Sequence, residues 1–275
     1  DPWLDLNQNL IVVDDDWDDK SNGDQVTIDN VTYTIGLNAF DTIQEGVTAV
    51  DANGTVQVFA GNYVEDVVID KALSLLGPNA GINPNTGMRV AEAVVMPATS
   101  DPNPFSAGAI TMLYTSASDV TVKGFTFDGN NPGLTSGVLV GGVDVDAAEA
   151  IGAYDGSGHL VVENNIVQNI SYAGMDFYNY SNGGGATSGN TIRYNKLDNI
   201  GHIPYGYGIG ILIYNNFYAA VTDNVMTDVR VGVQTGNFFA ANPGTTASIS
   251  DNQIASTRRG IFHNLAYSSA SPFTI

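Results

Sequence analysis

The sequence contains no cysteine and few basic residues, and both absences limit what the protein can be. Without cysteine there is no disulfide framework and no thiolate metal site. Only 9 Lys and Arg stand against 29 Asp and Glu, so the 275-residue chain carries a net charge of −20. Such a charge repels nucleic acid and anionic membranes, and we expect neither as a partner. It also repels polyanionic glycans unless a cation intervenes.

Long hydrophobic runs are missing as well. No apolar stretch approaches the roughly 20 residues that cross a membrane, so we expect no membrane insertion. The sequence also lacks a phosphate-binding loop, a dinucleotide fingerprint and a Gly-x-Ser-x-Gly elbow, and we expect no organic cofactor. High Asp with low Lys is typical of extracellular bacterial proteins that meet calcium or salt. We therefore expect an extracellular or cell-surface location, with calcium as the candidate ion.

What the sequence does contain is a repeat. Asn165, Asn195, Asn224 and Asn252 recur at intervals of 30, 29 and 28 residues, each between apolar positions. A unit of this length cannot bury its own apolar face, whereas units stacked as parallel coils can. The repeat therefore predicts an all-β fold, a right-handed parallel β-helix. Its asparagines would stack as a ladder, because each amide can both donate and accept a hydrogen bond.

A helix is expected just before the coils. Phe40, Ile43, Val47 and Val50 fall at helical spacing, and Asn38 is the candidate N-cap. A helix at this place would cover the exposed edge of the first coil, which protects against strand-to-strand aggregation. The early sequence thus predicts an N-terminal capping helix.

We interpret residues 1–275 as a single β-helix domain, with the lead-in and N-terminal cap in 1–55 and the coils in 56–275. The last unit ends without a helix or other cap-like segment, and an uncovered coil is an exposed strand edge. We therefore expect that more protein follows in the natural chain or that another copy docks there, end to end. Both outcomes favour a component of a large surface protein or a self-assembling structural protein.

The helix and first strands also match a known pattern. An Ile-Gln helix is followed by a strand of the form Val-x-Val-x-x-Gly-x-Tyr-x-Glu and then by Ile-x-Lys-x-Leu-x-Leu-x-Gly. The matching residues are Ile43, Gln44, Val56, Val58, Gly61, Tyr63, Glu65, Ile69, Lys71, Leu73, Leu75 and Gly77. This pattern resembles the pectate-lyase-like β-helix superfamily, which includes pectin methylesterases. The resemblance implies the fold, but the superfamily contains lyases, hydrolases, esterases, epimerases and non-enzymatic surface modules.

The motifs of particular enzyme families in this superfamily are not found. Pectin methylesterases carry a Gln-Asp motif, an Asp-Phe motif one coil later and a Gly-Arg-Pro-Trp segment. Asp155 and Asp176 have about the right separation, but aligning Gly152 with Gly174 places Asp176 beside Tyr154. A one-residue offset turns side chains to opposite faces. Gly-Arg-Pro-Trp is absent too, so we match no specific enzyme family.

A calcium-assisted polysaccharide lyase remains an alternative, because such enzymes need a cation and a base. His202 and Tyr205 lie in a segment longer than its counterparts, and inserted loops often carry function. Together with Arg193 they are the candidate catalytic residues. The other interpretation is that His202 only packs in the structure and that Arg193 only points into solvent. Candidate calcium ligands are the first aspartates of the run DDDWDD, which is otherwise a solvated lead-in: Asp14, Asp15 and Asp16.

Tyrosines are concentrated in consecutive repeat units, where they could stack on sugar rings while their hydroxyls bond. The candidate substrate-binding residues are one aspartate and four tyrosines: Asp176, Tyr178, Tyr180, Tyr207 and Tyr214. The other interpretation is that such rings only stabilise neighbouring coils, as we expect for Phe177 in the core. We predict a scaffold or adhesin that binds a polysaccharide or cell-surface glycan. A lyase or related carbohydrate-active enzyme, and end-to-end self-assembly, are the alternatives.

Overall fold

The chain folds into a parallel β-helix. The computed structural model describes residues 8–154, 156–179, 187–201, 207–237 and 247–265. The strands of these ranges, in chain order, are β1 (Leu10–Val13), β2 (Gln25–Ile28), β3 (Val31–Thr34), β4 (Ala39–Phe40), β5 (Gly54–Val58), β6 (Gly61–Val64), β7 (Val67–Ile69), β8 (Leu73–Leu76), β9 (Ala93–Met96), β10 (Thr111–Thr115), β11 (Val120–Lys123), β12 (Thr126–Asp128), β13 (Leu139–Val140), β14 (Val143–Asp144), β15 (Glu149–Tyr154), β16 (Val161–Glu163), β17 (Ile166–Ile170), β18 (Ala173–Tyr178), β19 (Thr187–Arg193), β20 (Lys196–Ile200), β21 (Ile209–Tyr214), β22 (Phe217–Thr222), β23 (Val225–Asn237), β24 (Ala247–Ser250) and β25 (Gln253–Leu265). An α-helix, α1 (Ile43–Ala49), and a 3₁₀ turn (Asp15–Trp17) precede β5.

Parallel strands form three faces of the solenoid. Face 1 stacks β1, β5, β8, β11, β16, β19, β22 and β24. Face 2 stacks β6, β9, β12, β17, β20 and the first parts of β23 and β25, and face 3 stacks β7, β10, β15, β18, β21 and the second parts of β23 and β25. The chain visits the faces in this order in every coil. Because crossovers between parallel strands are right-handed, the predicted right-handed β-helix is confirmed.

The interior of the solenoid consists of columns of apolar side chains. On face 1, Val122, Val162, Ile192 and Val221 lie in register on successive coils and are almost fully buried. Burying each such side chain stabilises the fold by roughly 1.5–3 kcal/mol, and no single coil could enclose them. Phe177 is also in this core, as predicted, and its ring stacks on another buried ring.

The predicted asparagine ladder is present at the corner between faces 1 and 2. Nδ2 of Asn165 donates to Oδ1 of Asn195 (3.2 Å), Asn195 donates to Asn224 (3.0 Å), and Asn224 donates to Asn252 (2.9 Å). Each accepting Oδ1 also receives the backbone N–H of the preceding ladder residue. Each Nδ2 donates in addition to a backbone carbonyl of face 1. The amides thus satisfy buried corner groups that would otherwise be costly.

The unusual backbone angle at this corner belongs to the residue before each ladder asparagine. Asn164, Tyr194, Asp223 and Asp251 have φ values of 58°, 58°, 56° and 57°. Asn and Asp tolerate this left-handed region better than most residues, which explains three of the four. The ladder asparagines are therefore selected for their amides, whereas their predecessors make the turn.

The N-terminal helix is shorter than the sequence pattern predicts. It begins at Ile43, and Thr42 is its N-cap, with Oγ1 accepting from the N–H of Glu45 (3.3 Å). The prediction of Asn38 as the N-cap is therefore wrong. Oδ1 of Asn38 accepts from the N–H of Thr34 instead (2.7 Å), because Asn38 belongs to a turn before β4. No helix in the described ranges is long and apolar enough to span a membrane.

Two polar residues of the Ile-Gln and Tyr-x-Glu motifs fasten this helix to the first coil. The Glu65 carboxylate accepts from the N–H groups of Ile43 (2.7 Å) and Gln44 (2.8 Å). The side-chain amide of Gln44 pairs with the backbone of Val68, accepting its N–H (2.7 Å) and donating to its carbonyl (3.2 Å). These bonds hold α1 over the end of the solenoid, where it packs against β1, β5 and β7. The predicted capping position is confirmed.

We predict that Asn195→Ala lowers the free energy of unfolding by about 3 kcal/mol or more, because it removes the acceptor of the buried N–H of Asn165 and one of the two donors to Oδ1 of Asn224. Asn252→Ala should cost about half as much, since this residue is half-buried and water can replace its amide. Urea unfolding followed by circular dichroism measures both values. Equal losses, or a loss below about 1 kcal/mol at Asn195, would contradict a stabilising ladder.

Candidate functional site

A column of glycines marks the start of face 3. Ala173 pairs with Ile209, and Ile209 pairs with Val231 one coil later. The glycines that directly follow these residues therefore lie over one another: Gly174, Gly210 and Gly232. A Cβ on Gly174 would lie 2.9 Å from the carbonyl oxygen of Gly210, so the coils approach closely here. Gly210, and not Gly208, is therefore the counterpart of Gly174.

The sequence comparison of Asp155 with Asp176 aligned Gly152 with Gly174, and this alignment is two residues off. Gly152 lies opposite Asp176, and Tyr154 lies opposite Tyr178. The prediction that Asp176 stands beside Tyr154 is therefore wrong. The reason is that a glycine is needed at the corner of the later coils, whereas the earlier coil has an alanine at the equivalent place, so the glycines were misleading anchors.

Two acidic residues lie outside the core on face 3 and line one cavity. Met175 and Phe177 point into the core, and Asp176, between them, faces the opposite way. Glu149, one coil earlier, lines the same cavity of about 120 Å³. Asp176 is 3% exposed and Glu149 is 8% exposed. Two carboxyl groups are thus largely removed from water within a single site.

A side-chain hydrogen bond between these two carboxyl groups lowers the pKa of Glu149 and raises the pKa of Asp176. Oε2 of Glu149 also accepts from the hydroxyls of Tyr154 (2.5 Å) and Thr111 (2.8 Å). No donor among the described residues reaches Oδ1 of Asp176. The arrangement assigns the negative charge to Glu149, which has three donors, and the proton to Asp176.

Burial determines the protonation of this pair. It raises the pKa of Asp176 well above its ordinary range, and the charge of Glu149 raises that pKa further. Burial also raises the pKa of Glu149, while its hydrogen bonds from Tyr154, Thr111 and Asp176 act in the opposite direction. Two like charges in contact cannot both ionise easily, so Asp176 keeps its proton at a pH where an ordinary carboxyl group has lost it.

Tyrosine rings form the walls of this cavity. Tyr154, Tyr178 and Tyr214 lie opposite one another on three successive coils, and the rings of Tyr154 and Tyr178 are 4.8 Å apart. Tyr172 also lines the cavity. Its ring lies 5.2 Å from the ring of Tyr207, in an edge-on contact. We call this site, with Glu149 and Asp176 at its base, the tyrosine cavity.

The structure brings together part of the predicted binding set. Asp176, Tyr178 and Tyr214 line the tyrosine cavity, and Tyr207 contacts its rim through Tyr172. Tyr180 and the predicted catalytic residues His202 and Tyr205 lie outside the described residues. Their roles stay predictions.

The third predicted catalytic residue, Arg193, belongs to face 1. Its Nε donates to Oε1 of Glu163 (2.5 Å), and Glu163 also forms a salt bridge with Lys123 (2.7 Å). The Arg193 guanidinium lies over the ring of Tyr194. It is not among the residues that line the tyrosine cavity. The observed contacts tie three coils together, and a catalytic role for Arg193 stays a prediction.

The predicted calcium ligands lie near the start of the solenoid. Asp14, Asp15 and Asp16 each place a carboxylate oxygen within 4.8 Å of the others, a spacing that suits a calcium ion. Oδ1 of Asp14 accepts from the N–H of Asp16, and Oδ2 of Asp15 accepts from Asn62 in β6. This place is two coils before Glu149 and on another face. Calcium binding here stays a prediction, and such an ion would not touch a ligand in the tyrosine cavity.

Sequence reasoning missed Glu149, Tyr154 and Tyr172 as members of the site. A signal was present, because "EAIGAY" in β15 and "AGMDFY" in β18 share a final tyrosine. Aligning the two segments on that tyrosine, instead of on glycine, gives the observed register. It places Glu149 at the start of its strand, one coil before Asp176.

Known proteins show few likenesses to this chain. No protein-family model and no curated protein matches the chain. A solved pectin methylesterase in complex with hexasaccharide VII is 14% identical, with a TM-score of 0.42, over 92% of this chain and 66% of that one. Escherichia coli YbhC is 13% identical, with a TM-score of 0.39, over 81% of this chain and 63% of that one. The chain thus spans just under two thirds of either solved chain, and the likeness concerns the fold alone.

The class of protein follows from the topology. Three parallel strands per coil, stacked in register, make this chain a right-handed parallel β-helix. The tyrosine cavity is a feature of this chain's own residues on that fold. What the cavity does must therefore be argued from its chemistry.

We predict that Asp176→Asn stabilises the protein increasingly as the pH rises. Because the folded-state pKa of Asp176 is raised, its contribution to stability is full below the unfolded pKa of about 3.9 and is lost as the pH passes the folded pKa. Asparagine has no such loss. Urea unfolding of both proteins between about pH 4 and pH 9 measures the difference. A difference independent of pH would contradict the raised pKa of Asp176.

Proposed function

We propose that this protein is an extracellular, carbohydrate-active β-helix that binds a saccharide in the tyrosine cavity. The observation that carries the proposal is the pair of buried carboxyl groups, Glu149 and Asp176, at the base of a tyrosine-lined site. Tyrosine rings offer apolar faces for sugar rings, and the phenol and carboxyl groups offer partners for hydroxyls. Polar groups that converge in a concave, aromatic site are typical of ligand sites.

The size of the cavity limits what enters it. About 120 Å³ is less than the roughly 300 Å³ at which typical small-molecule sites begin. The cavity therefore suits one sugar ring or one substituent, with the rest of the ligand lying along face 3. Coils are about 4.8 Å apart, so successive coils offer successive contact points along a chain-like ligand.

The pair of carboxyl groups also supports proton-transfer chemistry. In glycoside hydrolases the two carboxyl groups stand at least about 5 Å apart, because the sugar or a water lies between them. Here they are in direct hydrogen bond, which leaves no such room. A pair in which Asp176 keeps its proton instead suits general acid–base activation of water at a carbonyl group. The reaction that this geometry fits best is hydrolysis of an ester substituent on a saccharide.

Two further roles belong to this proposal. The β-helix would serve as a module of a cell-surface protein, in which glycan contact through the tyrosine cavity gives adhesion. A non-catalytic scaffold or adhesin binds the saccharide without turnover, so parallel measurements of binding and of turnover separate it from an enzyme. The calcium-assisted lyase differs again, because it yields unsaturated products that absorb ultraviolet light.

We predict that Tyr178→Ala weakens saccharide binding about tenfold or more, because the ring that stacks beside Tyr154 is lost. Tyr178→Phe should weaken it less, since the ring remains. Isothermal calorimetry against a panel of neutral oligosaccharides measures the affinities. Tyr194→Asn is the matched control, because it removes a half-buried tyrosine from a face 1 corner where other coils carry Asn or Asp. Equal losses in the control and in Tyr178→Ala would contradict binding at this cavity.

We predict that Glu149→Gln and Asp176→Asn each lower ester hydrolysis by about 10²- to 10⁴-fold, the range typical of a lost general acid or base. The substrates are methyl- and acetyl-esterified polysaccharides, and acid release is followed at constant pH. Ultraviolet absorbance in parallel detects a lyase. Binding without turnover in the unmodified protein would establish the adhesin instead. Hydrolysis that survives both substitutions would exclude this pair from the chemistry.

A further inference from the structure

A second cavity, of about 230 Å³, lies on face 3 towards the last coils. Three of the chain's nine basic residues line it: Arg230, Arg258 and Arg259. Within the described part of the chain, no carboxylate forms a salt bridge with any of the three. Such a concentration of unpaired positive charge stands out in a protein whose net charge is −20. We call this site the arginine cavity.

A β-bulge explains why two consecutive arginines reach one cavity. Val229 of β23 lies opposite Ser256 of β25, but Val231 lies opposite Arg259, so β25 carries one extra residue between these pairs. Consecutive side chains of a regular strand point to opposite faces. A bulge breaks that alternation and re-aims a side chain. Arg258 and Arg259 consequently line the same cavity.

Two further contacts shape the arginine cavity. The guanidinium of Arg259 lies 3.9 Å from the centre of the Phe262 ring, a cation–π contact that orders the side chain. Gly208, with φ of +138°, makes room for Arg230, because a Cβ on Gly208 would lie 3.0 Å from the Cβ of that arginine. The guanidinium of Arg259 is therefore ordered at the cavity before any ligand arrives.

The arginine cavity adjoins the tyrosine cavity. Nε2 of Gln234, which lines the arginine cavity, donates to the hydroxyl of Tyr214, which lines the tyrosine cavity (2.6 Å). Tyr207 lines the arginine cavity and packs on Tyr172 of the other. Asp176 and Gln234 belong to one register column, two coils apart. One ligand lying along face 3 can therefore reach both cavities.

We propose that the arginine cavity binds the carboxylate or sulfate group of an acidic saccharide. Arginine presents a planar fork of donors that matches such oxyanions, often with two bonds at once. The cavity supplies locally the positive charge that the rest of the chain lacks, so no intervening metal ion is required. Nucleic acid is a poor candidate for the same site, because a long polyanion would meet the negative surface beyond the cavity. That one saccharide spans both cavities rests on the proposed function.

The test compares acidic and neutral ligands on the intact chain. The probes are a uronic-acid oligosaccharide, its methyl ester, a sulfated oligosaccharide, a neutral oligosaccharide of equal length and inorganic sulfate. The variants are Arg258→Gln, Arg259→Gln and Arg258→Lys, and Lys20→Gln is the control that removes an equal charge at the far end of the solenoid. Affinities are measured by calorimetry at two salt concentrations, and the melting temperature of each variant verifies folding.

We expect Arg258→Gln and Arg259→Gln each to weaken binding of the acidic probes about tenfold or more, with the neutral probe and the methyl ester unchanged. Arg258→Lys should lose less, because it keeps the charge. Whether the carboxylate or the sulfate probe binds tighter identifies the group. Equal affinity for acidic and neutral probes, or losses equal to the Lys20→Gln control, would overturn the proposal.

The two proposals fail in different ways. If inorganic sulfate and the acidic probes bind through the arginines while no neutral saccharide binds, the arginine cavity stands and saccharide binding in the tyrosine cavity is wrong. If neutral saccharides bind through Tyr178 without preference for an acidic group, the arginine cavity is wrong and the proposed function stands. A variant that melts far below the parent is replaced by Arg230→Gln, which removes a charge from the same cavity through another strand.

Discussion

The structure depends on one constraint, the in-register stacking of each coil on the next. Backbone hydrogen bonds set the separation of neighbouring strands, and that separation places equivalent residues directly over one another. The apolar columns and the asparagine ladder both follow from it, because each ladder amide needs another amide one coil away. A single coil encloses no core and lacks the hydrogen bonds that its ladder amide makes to the neighbouring coils. Stability is therefore a property of the stack.

The same stacking produces the functional face. Inside the solenoid every coil presents similar apolar residues, because they share one core. Outside, the constraint is absent and the columns are free to vary, as in the column of Gly152, Asp176, Leu212 and Gln234. A small residue beside larger ones leaves a cavity. The tyrosine cavity is thus made largely from outer columns, and Pro104 and Phe105 of the segment between β9 and β10 complete its lining.

Charge is distributed unevenly on this scaffold. Glu163 is almost fully buried but lies between Lys123 and Arg193, which compensate it. Glu149 has no cation among its described contacts and depends on hydroxyl donors and the proton of Asp176 instead. The carboxylate of Glu163 is therefore compensated by cations, whereas the carboxylate of Glu149 at the tyrosine cavity is compensated by hydrogen bonds alone. The arginines of face 3 show the opposite imbalance.

The sequence by itself determined the solenoid, the ladder and the capping helix, because each depends on local spacing that recurs along the chain. It also pointed to Asp176, Tyr178 and Tyr214, because tyrosines concentrate in these coils. It could not find Glu149, since which residue lies over Asp176 depends on a register that glycines at one corner misrepresented. Nor could it bring Arg258 and Arg259 to one cavity, because that takes a bulge in strand pairing. Contacts within a repeat are encoded locally, whereas contacts between coils exist only once the coils are stacked.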